Sequence, residues 1–269
     1  MHYDPIKNVF GTIVKRYPWL RIIFYRLLGL MFLREWYVKR ELKQQFHVLN
    51  EPFNVYDAGC GFGQYTYYIA KNFPLAKIYA SDLKEEQIID CNQFFKSIRF
   101  NQCSFAVENL LQIQHHEKFD FILSVDVMEH IIDDMNVFRS FFRALRSGGM
   151  LFINTPSNLG GSDAHSEDEI SFIGEHARNG YGKEEIREKL ESAGFNVVSI
   201  RYTYGVWGNR YWKYGIKYPM KLLNTSKIFF VVIPFYYLIT LPLILPMMWF
   251  DFISKNETGT GLNILASKP

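Results

Sequence analysis

The stretch Asp57-Ala58-Gly59-Cys60-Gly61-Phe62-Gly63, set directly behind Phe53-Asn54-Val55-Tyr56, constrains this chain more than any other feature. Three glycines at alternate positions let a strand turn sharply into a helix. They also leave backbone open to a ligand that a Cβ would hold away. A dinucleotide fingerprint would need a glycine at position 64. Gln64 stands there, so a pyrophosphate is not the expected ligand.

The residues that follow repeat a strand-then-helix rhythm. Strands are expected at 53–58, 77–81, 104–107, 119–125 and 150–154, and helices at 64–72, 85–98 and 134–146. In the last helix Met135, Val137, Phe138, Phe141, Phe142 and Leu145 fall at helical spacing, and Ser147-Gly148-Gly149 is expected to stop it. Such alternation implies a parallel sheet covered on both faces. A polar stretch at 157–178 reads as a loop or lid. A helix at 183–193, a strand at 195–204 and a final strand at 262–266 follow. Ligands of open α/β sheets bind outside the carboxyl ends of the strands, where Asp57, Asp82 and Ser124 fall. The Asp82 carboxylate suits the two hydroxyls of a ribose, or else simply caps the helix after it. Leu83 beside it could cover an adenine face.

Four segments, VYDAGCGFG, YASDL, FDFILSVDVMEHI and LRSGGMLFINTPS, resemble in order and spacing the motifs of class I S-adenosylmethionine-dependent methyltransferases. The resemblance is strongest to the ubiquinone-biosynthesis O-methyltransferases and similar small-molecule and lipid enzymes, and it covers roughly residues 50–204 and the last strand. It implies a doubly wound, mostly parallel seven-stranded α/β sheet of the Rossmann-like kind, with an antiparallel last strand and S-adenosyl-L-methionine as cofactor. Carried over by position, Asp57, Gly59, Gly61 and Gly63 surround the methionine moiety and Asp82 binds the ribose, with Leu83 beside it. Val107, Glu108 and Asn109 lie near the adenine, and Ser124 closes the site. Many members carry an acidic residue where Ala106 stands, and Glu108 is the substitute this chain offers.

For the chemistry, His176 in Glu175-His176-Ala177-Arg178-Asn179-Gly180-Tyr181 is the first candidate base and His130 the second. Each also has a plain reading, as a lid histidine and as a packing residue. Tyr65 and Tyr181 are expected to line the acceptor pocket, and His115-His116 to sit in a surface loop. The related branch can use a divalent metal beside its Glu-His, for which Asp126, Glu129, His130 and Asp133 would be the oxygen-rich set. No metal is expected here.

Charge and hydropathy divide the chain into three regions. Residues 1–43 hold nine Lys/Arg against three Asp/Glu, and 1–48 reads as a basic amphipathic helical region lying on a membrane or on the domain. Residues 49–204 and 259–269 form the cofactor-binding domain. Between them, 205–258 is a membrane-associating insertion: a stretch at 201–227 with six Lys/Arg, no acid and many aromatics leads into it and precedes an uncharged apolar run at 228–250. Three cysteines without paired spacing offer no disulfide framework or zinc site. Pro234, Pro242 and Pro246 are expected to break the run into a re-entrant or interfacial hairpin. If the strands on either side of it are neighbours, both ends stay on one side of a bilayer.

The expected function is methyl transfer to a lipophilic or small-molecule acceptor on the cytoplasmic side of a membrane, by a peripheral or monotopic protein in contact with anionic lipids. Nucleic acid is not an expected partner, and a homo-oligomer is compatible with the sequence. Two alternatives stand beside this. One is a soluble methyltransferase whose insertion builds a pocket or dimer interface, and the other is a membrane-bound scaffold that binds the cofactor without turnover.

Overall fold

The computed structural model describes residues 17–160, 177–226 and 229–269. Two helices, α1 (Pro18–Met31) and α2 (Leu33–Phe46), precede β1 (Phe53–Ala58), α3 (Gln64–Asn72), β2 (Ala76–Asp82), α4 (Glu85–Ser97) and β3 (Cys103–Val107). Then come β4 (Phe119–Val125), α5 (Asp134–Ala144), β5 (Leu145–Pro156), α6 (Lys183–Ser192) and β6 (Asn196–Thr203). The seven strands lie in the order β3-β2-β1-β4-β5-β7-β6, where β7 is Gly261–Ser267. All adjacent pairs among β1 to β5 are parallel, and β7 runs antiparallel to both β5 and β6. The expected fold class is therefore the observed one.

Strand order reverses around β1, since the chain runs outward to β2 and β3 and then returns to place β4 on the other flank. That switch point opens a crevice at the carboxyl ends of β1, β2 and β4. Apolar clusters fill both faces of the sheet. One centres on Tyr56, Phe119, Phe138 and Phe141 under α5 and α6, the other on Val55, Ile69, Phe121 and Phe152 under α2 and α3.

The helix expected at 134–146 ends at Ala144 instead. Leu145 is wholly buried and pairs with Phe119 of β4, so packing draws the chain into β5 before the glycines are reached.

The insertion folds differently from expectation. The run that three prolines were expected to break is one continuous helix, α9 (Phe229–Ile253). All three prolines face outward. The fold-back occurs earlier: α7 (Val206–Tyr211), a π-helical turn (Trp212–Lys217) and α8 (Tyr218–Thr225) form the outgoing arm, and α9 is the return arm. Glycines let the arms approach closely. Gly208 N donates to Asp251 Oδ1 at 2.9 Å, and Tyr237 Oη donates to the Gly215 carbonyl at 2.7 Å. A Cβ on Gly208 would lie 2.8 Å from Asp251 Cγ. The foot of the hairpin is fixed to α2, where Tyr37 Oη donates to Asp251 Oδ2 at 2.7 Å and Arg40 donates to the Phe252 carbonyl at 2.7 Å.

Helix α1 docks on the domain. Its Arg21 is buried and turned inward, donating to Asp90 Oδ2 at 2.6 Å, to the Phe62 carbonyl at 2.7 Å and to Cys91 Sγ at 3.2 Å. Trp19, Ile23, Leu27 and Leu30 occupy its exposed side.

Candidate active site

The glycine corner is assembled by the sheet beneath it. Gly59 N and Cys60 N both donate to the Ser81 carbonyl, at 2.9 and 2.8 Å, tying the end of β1 to the end of β2. Gly59 has φ +83, and a Cβ there would overlap Val127 Cγ2 and lie 3.1 Å from Cγ1. Only glycine meets both demands. Gly61 N then donates to Asp82 Oδ2 at 2.9 Å while Lys84 N donates to Oδ1 at 3.0 Å. Both Asp82 oxygens are thus held in place at the strand tip, with lone pairs to spare for a diol.

Above this corner lies a cavity of about 790 Å³, whose lining includes Gly59, Gly61, Asp82, Leu83, Glu108, Asn109 and His130. Seven of the anticipated site residues therefore converge. Leu83 is 66% exposed, so it offers its apolar face to a ligand rather than to the core. Glu108 receives the Tyr56 hydroxyl at 2.6 Å, and the Tyr56 oxygen lies 2.8 Å from Ser81 Oγ. His115 Nε2 stands 3.3 Å from the other Glu108 oxygen, and its ring packs edge-on against Tyr56, Tyr79 and Phe119. His115 thus sits in a loop, as expected, but packs as a partner of the site, while His116 beside it is exposed. Burial lowers the His115 pKa against the pull of Glu108.

The other anticipated residues lie elsewhere. Asp57 is buried below the loop, and its Oδ2 accepts the Thr66 hydroxyl at 2.6 Å. Helix α3 begins after Gly63, which has no side chain to cap it, and the Asp57 carboxylate supplies a remote cap through Thr66. Burial pushes the Asp57 pKa up to about 6. Gly63, at φ +72, packs on α4, where a Cβ would lie 3.1 Å from Phe95 and 3.2 Å from Cys91 Sγ. Ser124 is fully buried in β4, and Val107 is 51% exposed at the sheet edge and off the cavity lining. Tyr181, expected in the acceptor pocket, is fully buried and donates to Asp134 Oδ2 at 2.8 Å. His176 lies outside the described residues.

The raised Asp57 pKa carries a linkage sign. Between about pH 4 and pH 6 the folded chain binds more protons at this site than the unfolded chain, so stability declines as pH rises and levels off above the folded pKa. Asp57→Asn is expected to gain about 1–2 kcal/mol at pH 7.5, and nothing at pH 4, in urea unfolding. Equal effects at both pH values would overturn the assignment.

One residue at the cavity carries no motif signal. Arg34, at the start of α2, lines the cavity and pairs with Asp126. Asp126 is a non-glycine residue with φ +51, held by its N–H to the Asn154 carbonyl at 2.9 Å. Arg34 N donates to the Tyr204 hydroxyl at 3.0 Å, which links the cavity wall to the segment just before the hairpin. Tyr65 also lines the cavity, as expected, and burial, with Glu35 beside it, raises its pKa well above the ordinary value. Arg34 lies outside every motif, so only tertiary folding brings it here.

The oxygen-rich set does not converge on one point. Asp126 is taken by Arg34, and Asp133 caps α5 by accepting from Asn136 N at 3.3 Å. Glu129 is buried, accepts from Thr155 Oγ1 at 3.1 Å, and has its pKa raised by burial. Among the described residues no group of three or more His, Cys, Asp or Glu could hold a metal ion.

The residues present fit an adenosyl-amino-acid ligand. A backbone cradle that one Cβ would fill, a strand-tip carboxylate with both oxygens oriented, and an exposed leucine beside it are the features a ribose and adenine require.

Comparisons with known proteins agree. A family model described as a methyltransferase domain matches residues 49–194, more than half of the chain. A ubiquinone biosynthesis O-methyltransferase from Dictyostelium discoideum is 24% identical over 129 residues, 44% of this chain and 40% of that protein. A phosphoethanolamine N-methyltransferase from Triticum aestivum is 27% identical over 159 residues, 54% of this chain and 28% of that protein. The chain thus spans less than half the length of these two relatives. A solved Haemonchus contortus phosphoethanolamine N-methyltransferase 2, in complex with S-adenosyl-L-methionine, superposes with a TM-score of 0.62. It is 18% identical, and the match covers 87% of this chain and 53% of that one. With its glycine corner, its strand-tip carboxylate and this match in place, the chain belongs to the class I S-adenosylmethionine-dependent methyltransferase family.

Proposed function

We propose that this protein transfers a methyl group from S-adenosyl-L-methionine to a lipophilic small-molecule acceptor at a membrane surface. One observation carries the reading: the cofactor cavity and an exposed apolar hairpin are joined through α2. Arg34 lines the cavity, and Tyr37 and Arg40, one to two turns further along the same helix, hold the hairpin foot.

When bound, the cofactor supplies a sulfonium-activated methyl group. The chain's own residues then have to bind, orient and exclude water. Asp82 accepts from ribose hydroxyls with its carboxylate already oriented by two backbone amides. Leu83 and Leu111 present apolar faces to the adenine. Glu108, held by Tyr56, is the acidic group nearest the adenine end. At the opposite rim Tyr65, Val127, His130 and Ile131 border the space for an acceptor. His130 is exposed there and can take a proton from a hydroxyl acceptor, a role for which His176 is the first candidate from the sequence.

Purified protein incubated with methyl-labelled cofactor and a total lipid extract is expected to move label into the organic phase. Asp82→Ala should lower that transfer about 10- to 100-fold, the loss of charge-assisted bonds to a diol. Label appearing only in water-soluble products would overturn the lipophilic acceptor.

A further inference from the structure

Helix α9 has two unlike sides. Ile244, Met248 and Asp251 are buried against the outgoing arm and α2, whereas Val231, Phe235, Leu238, Ile239, Leu243 and Trp249 are exposed. Of the most apolar window of Val231–Ile253 only 11% is buried. A helix of 25 residues runs about 37 Å, so this apolar side is as long as a bilayer core is thick. The outgoing arm carries a basic row, Arg210, Lys213, Lys217 and Lys221, at spacings that keep it on one side of a helix. Arg210, Lys213 and Lys221 of that row are exposed.

Topology limits how such a hairpin meets lipid. Strands β6 and β7 are neighbours in one sheet, so both ends of the hairpin are fixed beside the cofactor domain. One crossing by α9 alone is impossible, and a re-entrant plunge would drag the basic row through hydrocarbon at about 2.5–3.5 kcal/mol per residue. The prolines point the same way. Pro242 and Pro246 leave the Leu238 and Pro242 carbonyls without their helical donors. Such carbonyls are tolerated at a hydrated interface and costly in the bilayer core.

We infer that the hairpin is a monotopic docking surface for an anionic phospholipid bilayer, lying in the interface with the exposed side of α9 among the acyl chains and the basic row of the outgoing arm at headgroup level. The inference deepens the membrane part of the proposed function and is independent of methyl transfer, so vesicle binding is measured without cofactor. Failure here leaves the cofactor reaction standing, and failure of methyl transfer leaves the docking standing.

In flotation assays the full chain is expected to bind vesicles containing one-third phosphatidylglycerol more tightly than pure phosphatidylcholine vesicles, with the difference shrinking at high salt. Replacing Arg210, Lys213 and Lys221 together by Gln should weaken binding to the anionic vesicles about 100-fold. Circular dichroism and cofactor affinity should not change, since all three residues are exposed. Phe235→Glu with Ile239→Glu should abolish binding to both vesicle types. A cysteine placed at the exposed Asn224, near the hairpin tip, should react with an impermeant maleimide added outside sealed vesicles. Protection of that cysteine until detergent is added would overturn the in-plane arrangement. Equal affinity of the triple variant and the parent would overturn the electrostatic part. A chain that ignores vesicles but forms a dimer in ultracentrifugation, lost in the double Glu variant, would assign the surface to a second copy.

Discussion

Gly59→Ala is expected to remove measurable cofactor binding, a loss on the order of 100- to 1000-fold in calorimetry. Two costs combine at this residue. Its φ of +83 lies where an L-residue is strained by roughly 1–2 kcal/mol. The added methyl also overlaps Val127, and making room in a packed corner costs about 1–3 kcal/mol. Relief by backbone movement would displace the Gly59 and Cys60 amides from the Ser81 carbonyl, and with them the loop that faces the cavity. The double variant Gly59→Ala with Val127→Ala removes the steric part and leaves the backbone part. It should recover about tenfold. Full binding by the single variant would show that the glycine corner is not the cradle.

Arg21→Ala should destabilise the chain by about 3–5 kcal/mol in chemical unfolding, the usual result of deleting one member of a buried pair. Its guanidinium joins Asp90 on α4, the Phe62 carbonyl of the cofactor loop and Cys91, and it lies 4.4 Å from the centre of the Phe94 ring. Removal leaves Asp90 without its charge partner and Phe62 with one donor fewer. Because Phe62 belongs to the glycine loop, cofactor affinity should fall as well. Arg21→Met, which keeps the packing and loses the charge, should remain destabilising by about 2 kcal/mol or more. A surface-like effect below 0.5 kcal/mol would show that α1 does not dock on the domain.

The two variants mark where the sequence spoke and where it did not. Gly59 could be read in place, because a glycine at a strand-to-helix corner has a local backbone reason that needs no partner. Asp82 could be read as well, since strand ends are visible in the alternation of apolar and polar runs. Arg21 looked like one more cation in a basic N-terminal helix. Nothing local reveals that it turns inward to meet Asp90, 69 residues further along the chain. Asp57 shows the opposite shortfall: its place at the end of β1 was legible, yet its carboxylate caps α3 through Thr66 below the cavity. Which side of a loop a side chain takes depends on what packs against that loop. Tyr181 and His115 changed places for the same reason, one sinking into the core and the other joining Glu108.

The insertion divides in the same way. Its apolar length and the basic row before it are compositional, and they predicted a hairpin. Where the hairpin turns was misplaced, because proline rules describe an isolated backbone. In α9 the prolines fall on the outward side, while the inward side is held by Asp251 against Gly208 and Tyr37.

The sequence by itself determined the period of the elements, the glycine corner and the strand-tip carboxylate, and hence the class of fold and cofactor, because each is set by a few adjacent residues. Only the tertiary structure decided which helices cover the cavity, that Arg34 reaches it, and that α9 stays whole. Those outcomes depend on burial and pairing between residues far apart in the chain, whose energies no local pattern encodes.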